Sequence, residues 1–404
     1  MNCQVCGFTE FISILDMGML PLVNDLPLAD QFKVDRCHEL SIVQCENCSL
    51  VQLSSFPSMS EIFPNEYPYL SGLTPPLLKN FSQQADSVSK FFKGQPMRVL
   101  DIGSNDGSLL SFYKAQGNRV LGVEPTNAAD VANSMGILTV KNYFNFESTN
   151  DVIEILKSAD VVTATNVFAH IPQPIELVEN IARILSPEGI FVSENHYFID
   201  LVGSLQIDTI YHEHLRYYTL HSILFLLKKV GFEVFRVERI SSHGGSIRVW
   251  SGREGLHQIE DSVVDMLKVE RESGFVDGSY IPALQEAVRE WRLDLRSKIG
   301  QIVKSGGSVV GVGAPSRAVT LLTYLGLNKD DIRCIVEKSG SKKIGKRIPS
   351  TKIPIVDELE LPQLNPTHLL ILSWHIKDSL IPILKRKGYQ GLFITPLPAP
   401  KVSK

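Results

Sequence analysis

No apolar stretch in these 404 residues reaches the length of a membrane span, and the best, around Ser222 to Leu227, is short and cut by Lys228-Lys229. The start of the chain lacks the basic-then-apolar pattern of a secretion signal, so a cytoplasmic location is expected. An excess of positive charge is also missing. With 40 Lys+Arg against 44 Asp+Glu, the net charge of -4 gives no electrostatic reason to expect nucleic acid or an acidic membrane surface. Cysteine is scarce, and six in so long a chain do not make a disulfide framework. Neither an H-E-x-x-H helix nor a complete G-x-G-x-x-G turn occurs. What remains is the composition of a globular protein, 44% hydrophobic and 21% charged, long enough for two or three domains.

The chain is organised around Val99 to Tyr113, VLDIGSNDGSLLSFY. An apolar run stops at Gly103, turns through Ser104-Asn105-Asp106-Gly107, and restarts with helical spacing at Leu109, Leu110 and Tyr113. That is strand, glycine turn, helix, the opening unit of a doubly wound α/β domain whose ligands sit at the carboxyl ends of strands. Gly103 and Gly107 allow the close approach that a Cβ would hinder. Asp101 beside the loop would repel a pyrophosphate but suits a cationic ligand such as S-adenosylmethionine. A second strand, Arg119 to Val123, ends about twenty residues on in Glu124, placed to take both hydroxyls of a ribose. Asp101, Gly103, Asn105, Gly107 and Glu124 are the expected cofactor residues, with Asn166 at a neighbouring strand end.

Residues 1 to about 70 read as a metal-stapled module. Cys3-x-x-Cys6 and Cys45-x-x-Cys48 are two knuckles separated by 38 residues. Each puts two thiolates on one edge of a tetrahedron, and the pair completes a closed structural zinc site. So small a segment has little apolar core, and the ion supplies the missing stability. A loop from Leu20 to Asp35 must bulge between the knuckles. Cys37 and His38 are alternative ligands, with a buried cysteine and a surface histidine the simpler reading. Tyr67 and Tyr69 sit in a turn-rich linker, fit either for a lid or for packing a domain junction.

Elements alternate from Val99 to about Arg253. A helix is expected from about Pro75 to Phe92, with others at Pro174 to Leu185 and Ser222 to Val230. Strands are expected at Val161 to Ala164, Gly189 to Ser193, Phe232 to Ile240 and Ser246 to Ser251. The last two are expected to pair antiparallel through Ser241-Ser242-His243-Gly244-Gly245. Helices from about Leu256 to Lys304 bridge to a further strand–turn–helix at Gly307 to Arg317. There Gly313 and Arg317 are placed to hold a phosphate, followed by strands near Ile332 to Val336 and Leu369 to Ser373. The fold class is α/β, with an N-terminal zinc-binding module (1-70), a Rossmann-like domain (71-253), and a helical linker plus C-terminal Rossmann-like domain (254-404).

Asn166-Val167-Phe168-Ala169-His170 follows a buried strand and so lies at the carboxyl edge. The richest stretch is Asp208-Thr209-Ile210-Tyr211-His212-Glu213-His214-Leu215-Arg216-Tyr217-Tyr218. So many polar and phenolic groups in one run are costly to bury without purpose. H-x-H is a ligand spacing, but a general base oriented by a nearby carboxylate is the preferred reading.

The paired C-x-x-C knuckles, D-I-G-S-N-D-G, N-V-F-A-H-I, I-Y-H-E-H-L-R-Y-Y-T-L, H-G-G-S-I-R-V and G-V-G-A-P-S-R together resemble the three-domain nucleotide-sugar C-methyltransferases. These use S-adenosylmethionine to methylate carbon 3 of a 4-keto-deoxysugar nucleotide, and the resemblance covers essentially the whole chain. It implies a class I methyltransferase domain, with His214 removing the C3 proton beside Tyr211 and Glu213. It implies His170 near the keto oxygen and a tyrosine, Tyr67 or Tyr69, completing the site. His243 and Gly244, with Gly313 and Arg317 of the third domain, are expected on the nucleotide sugar. The chain departs from the family at Pro315-Ser316-Arg317, where a lysine-containing stretch is usual. It departs again at Glu194-Asn195-His196-Tyr197, which replaces an apolar-proline pattern.

An O-methyltransferase would share the cofactor site without needing an enolate. An NAD-dependent nucleotide-sugar oxidoreductase would use the G-V-G-A turn, but the third glycine and a clear ribose acid are missing. A zinc-bearing RNA methyltransferase would want a basic stripe.

Overall fold

A computed structural model describes residues 1–31, 34–62, 70–73 and 75–404. Seventeen strands among them form three sheets. In chain order they are β1 (Phe11–Pro21), β2 (Cys37–Cys45), β3 (Val51–Leu53), β4 (Arg98–Ile102), β5 (Arg119–Val123), β6 (Thr139–Val140), β7 (Ala159–Thr165) and β8 (Leu185–His196). There follow β9 (Arg216–Tyr217), β10 (Phe232–Ile240), β11 (Ser246–Arg253), β12 (Val309–Val312), β13 (Ile335–Glu337), β14 (Ile355–Asp357), β15 (His368–Ile371), β16 (Leu392–Thr395) and β17 (Lys401–Ser403).

The central sheet has the order β10-β11-β8-β7-β4-β5-β6. Its middle strands are parallel, and β11 runs antiparallel to both β8 and β10. Helices cover both faces, so the parallel strands are apolar on both sides; Val99, Leu100 and Ile102 of β4 are all buried. The strand order reverses between β4 and β7, which opens a crevice at their carboxyl ends. The glycine loop and Asn166 stand there.

Local chemistry sets the element ends. The helix Pro174–Ile184 begins with proline at its first turn and buries Leu177, Val178, Ile181 and Ile184 on one face. The helix Leu220–Lys228 starts two residues before the expected Ser222, because Thr219 and Ser222 form a reciprocal capping box. Strand β8 runs on to His196, held there by β11 pairing at Ser246 and Asn195–Ile247. The two-residue β6 was not foreseen; it is too short to carry a period.

The N-terminal sheet has the order β1-β2-β3-β9. Its last strand comes from residues 216–217, so this sheet is not made by the first seventy residues alone. The loop after β1 reaches across to the C-terminal sheet. Arg347 donates to Asp35 at 2.7 and 3.0 Å, and Ala29 N–H donates to the Gly345 carbonyl at 2.9 Å. That C-terminal sheet, β14-β13-β12-β15-β16-β17, is parallel except for β17. The helices Asp261–Glu272 and Ile281–Lys304 connect the two larger sheets.

Candidate active site and metal centre

The four knuckle cysteines converge. Cys3 Sγ lies 3.5 Å from Cys48 Sγ, Cys6 Sγ lies 3.5 Å from Cys45 Sγ, and all four sulfurs fall within 4.8 Å of one another. Tetrahedral Zn–S bonds of about 2.3 Å place sulfurs about 3.8 Å apart, so the donor set and spacing fit zinc. Gly7 at φ +80 and Ser49 at φ +56 turn the chain back after each pair, and their amides donate to the Cys3 and Cys45 carbonyls. It is the one metal-ligand cluster among the described residues. Cys37 and His38 take no part in it. Cys37 is half-buried rather than buried, because it opens β2 next to Ser350, 3.4 Å away, and His38 is half-buried against the His212 ring rather than on the surface.

At the central crevice, the Glu124 carboxylate accepts from the backbone amides of Asn105 at 3.1 Å and Thr126 at 2.9 Å. The glycine loop therefore holds this acid at the strand end. Gly103 has φ +67, and a Cβ there would meet Val167 Cγ2 at 2.6 Å. Gly107, at φ +76, precedes the helix Ser108–Ala115. Asn105 has φ +50, and its side chain accepts from Ser71 N–H at 2.9 Å. Asp101 is buried beneath the loop and accepts from Thr163 Oγ1 at 2.6 Å; desolvation pushes its carboxyl up to about 7. Asn166 sits in left-handed conformation at φ +58, and its buried Oδ1 has no partner among the described residues. An orphaned acceptor of this kind beside the loop fits an amine-bearing cofactor.

The Tyr211 to Tyr218 run folds back over this crevice. Arg216 donates to the Ile171 carbonyl, and Leu215 N–H donates to the Ala169 carbonyl at 2.8 Å, pinning it beside His170. His214 is 5% exposed. Its Nδ1 lies 2.7 Å from the Thr209 carbonyl, which can only accept, so Nδ1 carries the proton and Nε2 holds a lone pair. The group orienting His214 is thus a backbone dipole and not the expected carboxylate. Burial accounts for it: a neutral carbonyl fixes the tautomer without a second buried charge. Glu213 turns instead to Asn24 on the loop after β1, whose side-chain amide donates to it. Tyr211 stacks on His214 with ring centroids 4.2 Å apart.

His170 also spends its Nδ1–H on a carbonyl, that of Glu213 at 2.7 Å, and desolvation lowers its pKa to about 4. A neutral ring so bonded presents an acceptor at Nε2, so donation to a keto oxygen would need a proton that burial opposes. The two histidines of H-x-H part company. His212 Nε2 faces the Glu39 carbonyl at 3.1 Å while His214 faces the crevice. They do not share a metal.

His196 and His243 stand in line with His214. His196 and His214 ring centroids are 5.2 Å apart, and His196 and His243 are 5.4 Å apart. Gly244 packs on Gln206, whose side chain donates to its carbonyl at 2.7 Å. Arg317 lies 4.0 Å from Asp208 and over the Trp374 ring, so it faces the histidines rather than its own glycine turn. That turn, with Gly313 at φ +78, already gives its Ala314 amide to Glu337 at 2.6 Å. An acid, Glu337, therefore does end the strand after this turn, bonded to the turn's own backbone. Desolvation, first of all, drives the pKa of His196 and His214 well below the ordinary value, and neighbouring cationic groups add to it. Tyr67 and Tyr69 lie outside the described residues.

Sequence reading named Asp208 within the polar run and His196 among the departures, but missed Asn24, Trp374 and Glu337 as site groups. Only Glu337 carried a usable signal, an acid ending the strand after a glycine turn.

The sheet order and the loop–acid pair define a class I, S-adenosylmethionine-dependent methyltransferase carrying a zinc-type cysteine cluster. Family models match consecutive parts of the chain: a putative zinc-binding domain at 3–63, a methyltransferase domain at 78–237 and a C-methyltransferase C-terminal domain at 241–398. Over 407 aligned residues the chain is 29% identical to the C-methyltransferase NovU of Streptomyces niveus, covering 99% of this chain and 96% of that one. An uncharacterized methyltransferase of Mycobacteroides abscessus is 30% identical over 119 residues, 29% of this chain and 44% of that one. Among solved structures, the PH0226 protein of Pyrococcus horikoshii matches at 14% identity with a TM-score of 0.36, covering 50% of this chain and all of that one. The glycopeptide N-methyltransferase MtfA with S-adenosylmethionine matches at 13% identity and a TM-score of 0.34, over 43% of this chain and 93% of that one. No described helix is long and apolar enough to cross a membrane.

Proposed function

We propose that the chain is a C-methyltransferase that methylates carbon 3 of a dTDP- or GDP-linked 4-keto-6-deoxysugar, in the biosynthesis of branched deoxysugars in the cytoplasm. The observation that carries this reading is the His214 tautomer. Its Nδ1–H is fixed on the Thr209 carbonyl, so Nε2 is left unprotonated and able to accept at the crevice. Carbon methylation needs such a base, because the C3 proton must leave before carbon can attack. The full-length similarity to a C-methyltransferase supports the same reading.

The chain's residues divide the work. The loop at Gly103 to Gly107 with Asp101, Glu124 and Asn166 holds S-adenosylmethionine, which when bound supplies an electrophilic methyl group. His214 removes the C3 proton, made acidic by the adjacent ketone. Hydroxyl donors steady the resulting enolate oxygen; Tyr211, whose ring lies against His214, is one, with Tyr67 or Tyr69 completing the set. His170 accepts from a sugar hydroxyl rather than donating to the ketone. His243, Gly244, Gly313 and Arg317 contact the nucleotide sugar, with the division into 1-70, 71-253 and 254-404 giving each part its task. Holding donor and acceptor together makes the transfer effectively intramolecular.

The test is mass spectrometry after incubation with S-adenosylmethionine and a panel of dTDP- and GDP-linked 4-keto-6-deoxysugars. One added methyl is expected on carbon, with none in His214→Asn, while that variant still binds S-adenosylmethionine. Lost cofactor binding in the variant would count against His214 as the base. An O-methyltransferase would show no exchange of the substrate's C3 hydrogen in heavy water.

A further inference from the structure

Once His214 has taken a proton it must lose it before the next turnover, and its surroundings offer few ways out. Nδ1 is committed to the Thr209 carbonyl, and the ring is buried. A cavity of about 20 Å³ touches it, lined also by Asn166, Asn195 and His196, which is room for about one water. On its far side His196 reaches His243, which is half-buried on the loop between β10 and β11. His243 is held at φ +54, a left-handed conformation that non-glycine residues adopt at a cost and that recurs at functional sites.

We propose that His214, His196 and His243 form a proton-exit relay, which rests on the reading of His214 as the base. The steps balance. The C3–H bond breaks, its electrons stay on the substrate as the enolate, and its proton goes to His214 Nε2. The imidazolium passes that proton, through the one water the cavity holds, to a ring nitrogen of His196. His196 hands a proton from its other nitrogen to His243, which releases it to solvent water. His214 takes and gives the proton at Nε2, while His196 and His243 can each accept at one nitrogen and donate from the other, so neutral rings in series suffice. At centroid steps of 5.2 and 5.4 Å the rings are close without being hydrogen-bonded to one another, so each transfer goes through one bridging water or a small ring rotation. Desolvation and Arg317 lower the His243 pKa to about 4, so a proton arriving there is readily given up to water.

A single turnover needs only the His214 step, whereas repeated turnover needs the relay. That separates the relay from a structural role. With saturating S-adenosylmethionine and the accepted keto sugar, His196→Asn is expected to lower steady-state turnover about tenfold or more. The rate of the first methyl transfer should fall less than about threefold, and added imidazole should restore turnover. His196→Gln, a longer amide at the same place, carries the test if the asparagine variant misfolds. Equal losses in both phases, or no rescue by imidazole, would overturn the relay and leave the base assignment intact. A His214→Asn protein that still methylates would overturn the base assignment and the relay with it.

Discussion

The indole Nε1 of Trp374 lies 2.7 Å from Asp208 Oδ2, joining the loop after β15 to the run that ends in His214. Asp208 is 1% exposed, and burial raises its carboxyl pKa despite the nearby Arg317 guanidinium. Trp374→Phe removes the donor and leaves a buried carboxylate short of a partner. A loss of about 1–3 kcal/mol is expected, read as a lowered urea midpoint. Pairing it with Asp208→Asn should cost less than the two single losses added, since the two side chains share one interaction.

The cofactor loop gives a second prediction. Glu124→Gln keeps the shape but removes the charge that the Asn105 and Thr126 amides hold in place. Affinity for S-adenosylmethionine is expected to fall roughly ten- to a hundredfold by calorimetry. Gly103→Ala should do at least as much, because the new methyl meets Val167 and the backbone stays at φ +67. His214→Asn should leave the same affinity unchanged within error.

Protonation of the buried histidines sets a pH window. Desolvation, offset in part by the Glu39 carbonyl, holds the His212 pKa at about 4, and His214 lies well below its ordinary value. The folded chain therefore binds fewer protons than the unfolded chain as pH falls below about 6.5. Stability is fully present above that value. Below it, each such fully buried histidine removes up to about 1.4 kcal/mol per pH unit until its folded pKa is reached. Thermal midpoints measured from pH 8 to pH 5 should be level and then fall. The acid limb of kcat/KM should also lie below about 6.5 if His214 acts as the proposed base, because burial keeps its ring neutral. A limb at or above that value would contradict the environment seen around His214.

Metal analysis should find about one zinc per chain. Cys45→Ser should lower that content and the thermal midpoint together. Turnover should drop as well, although no cysteine touches the crevice, because β3 of the cysteine-bound sheet pairs with β9 just after His214.

Much of the central sheet is legible in the sequence because its signals are local. The glycine loop, the acid ending β5 and the periodicity of Pro174–Ile184 each need only neighbouring residues. The cysteine cluster is legible for the same reason, since each knuckle is four residues long. Long-range choices were not legible. Nothing near Glu213 says that its partner is Asn24, nor does His214 announce that a carbonyl five residues back will fix its tautomer. His196 reads as a departure from a pattern until β8 carries it beside His214. Arg317 reads as a phosphate ligand from its glycine turn, yet Asp208 and Trp374 draw it toward the histidines.

Strand β9 sets a rule for anyone recombining this chain with a relative. Residues 216–217 finish a sheet begun two hundred positions earlier, and Arg216 Nε also donates to Gln4 at 2.7 Å. A crossover placed in the linker before the glycine loop would separate the two halves of that seam. Viable hybrids should therefore inherit the N-terminal module and the Tyr211 to Tyr218 segment from the same parent.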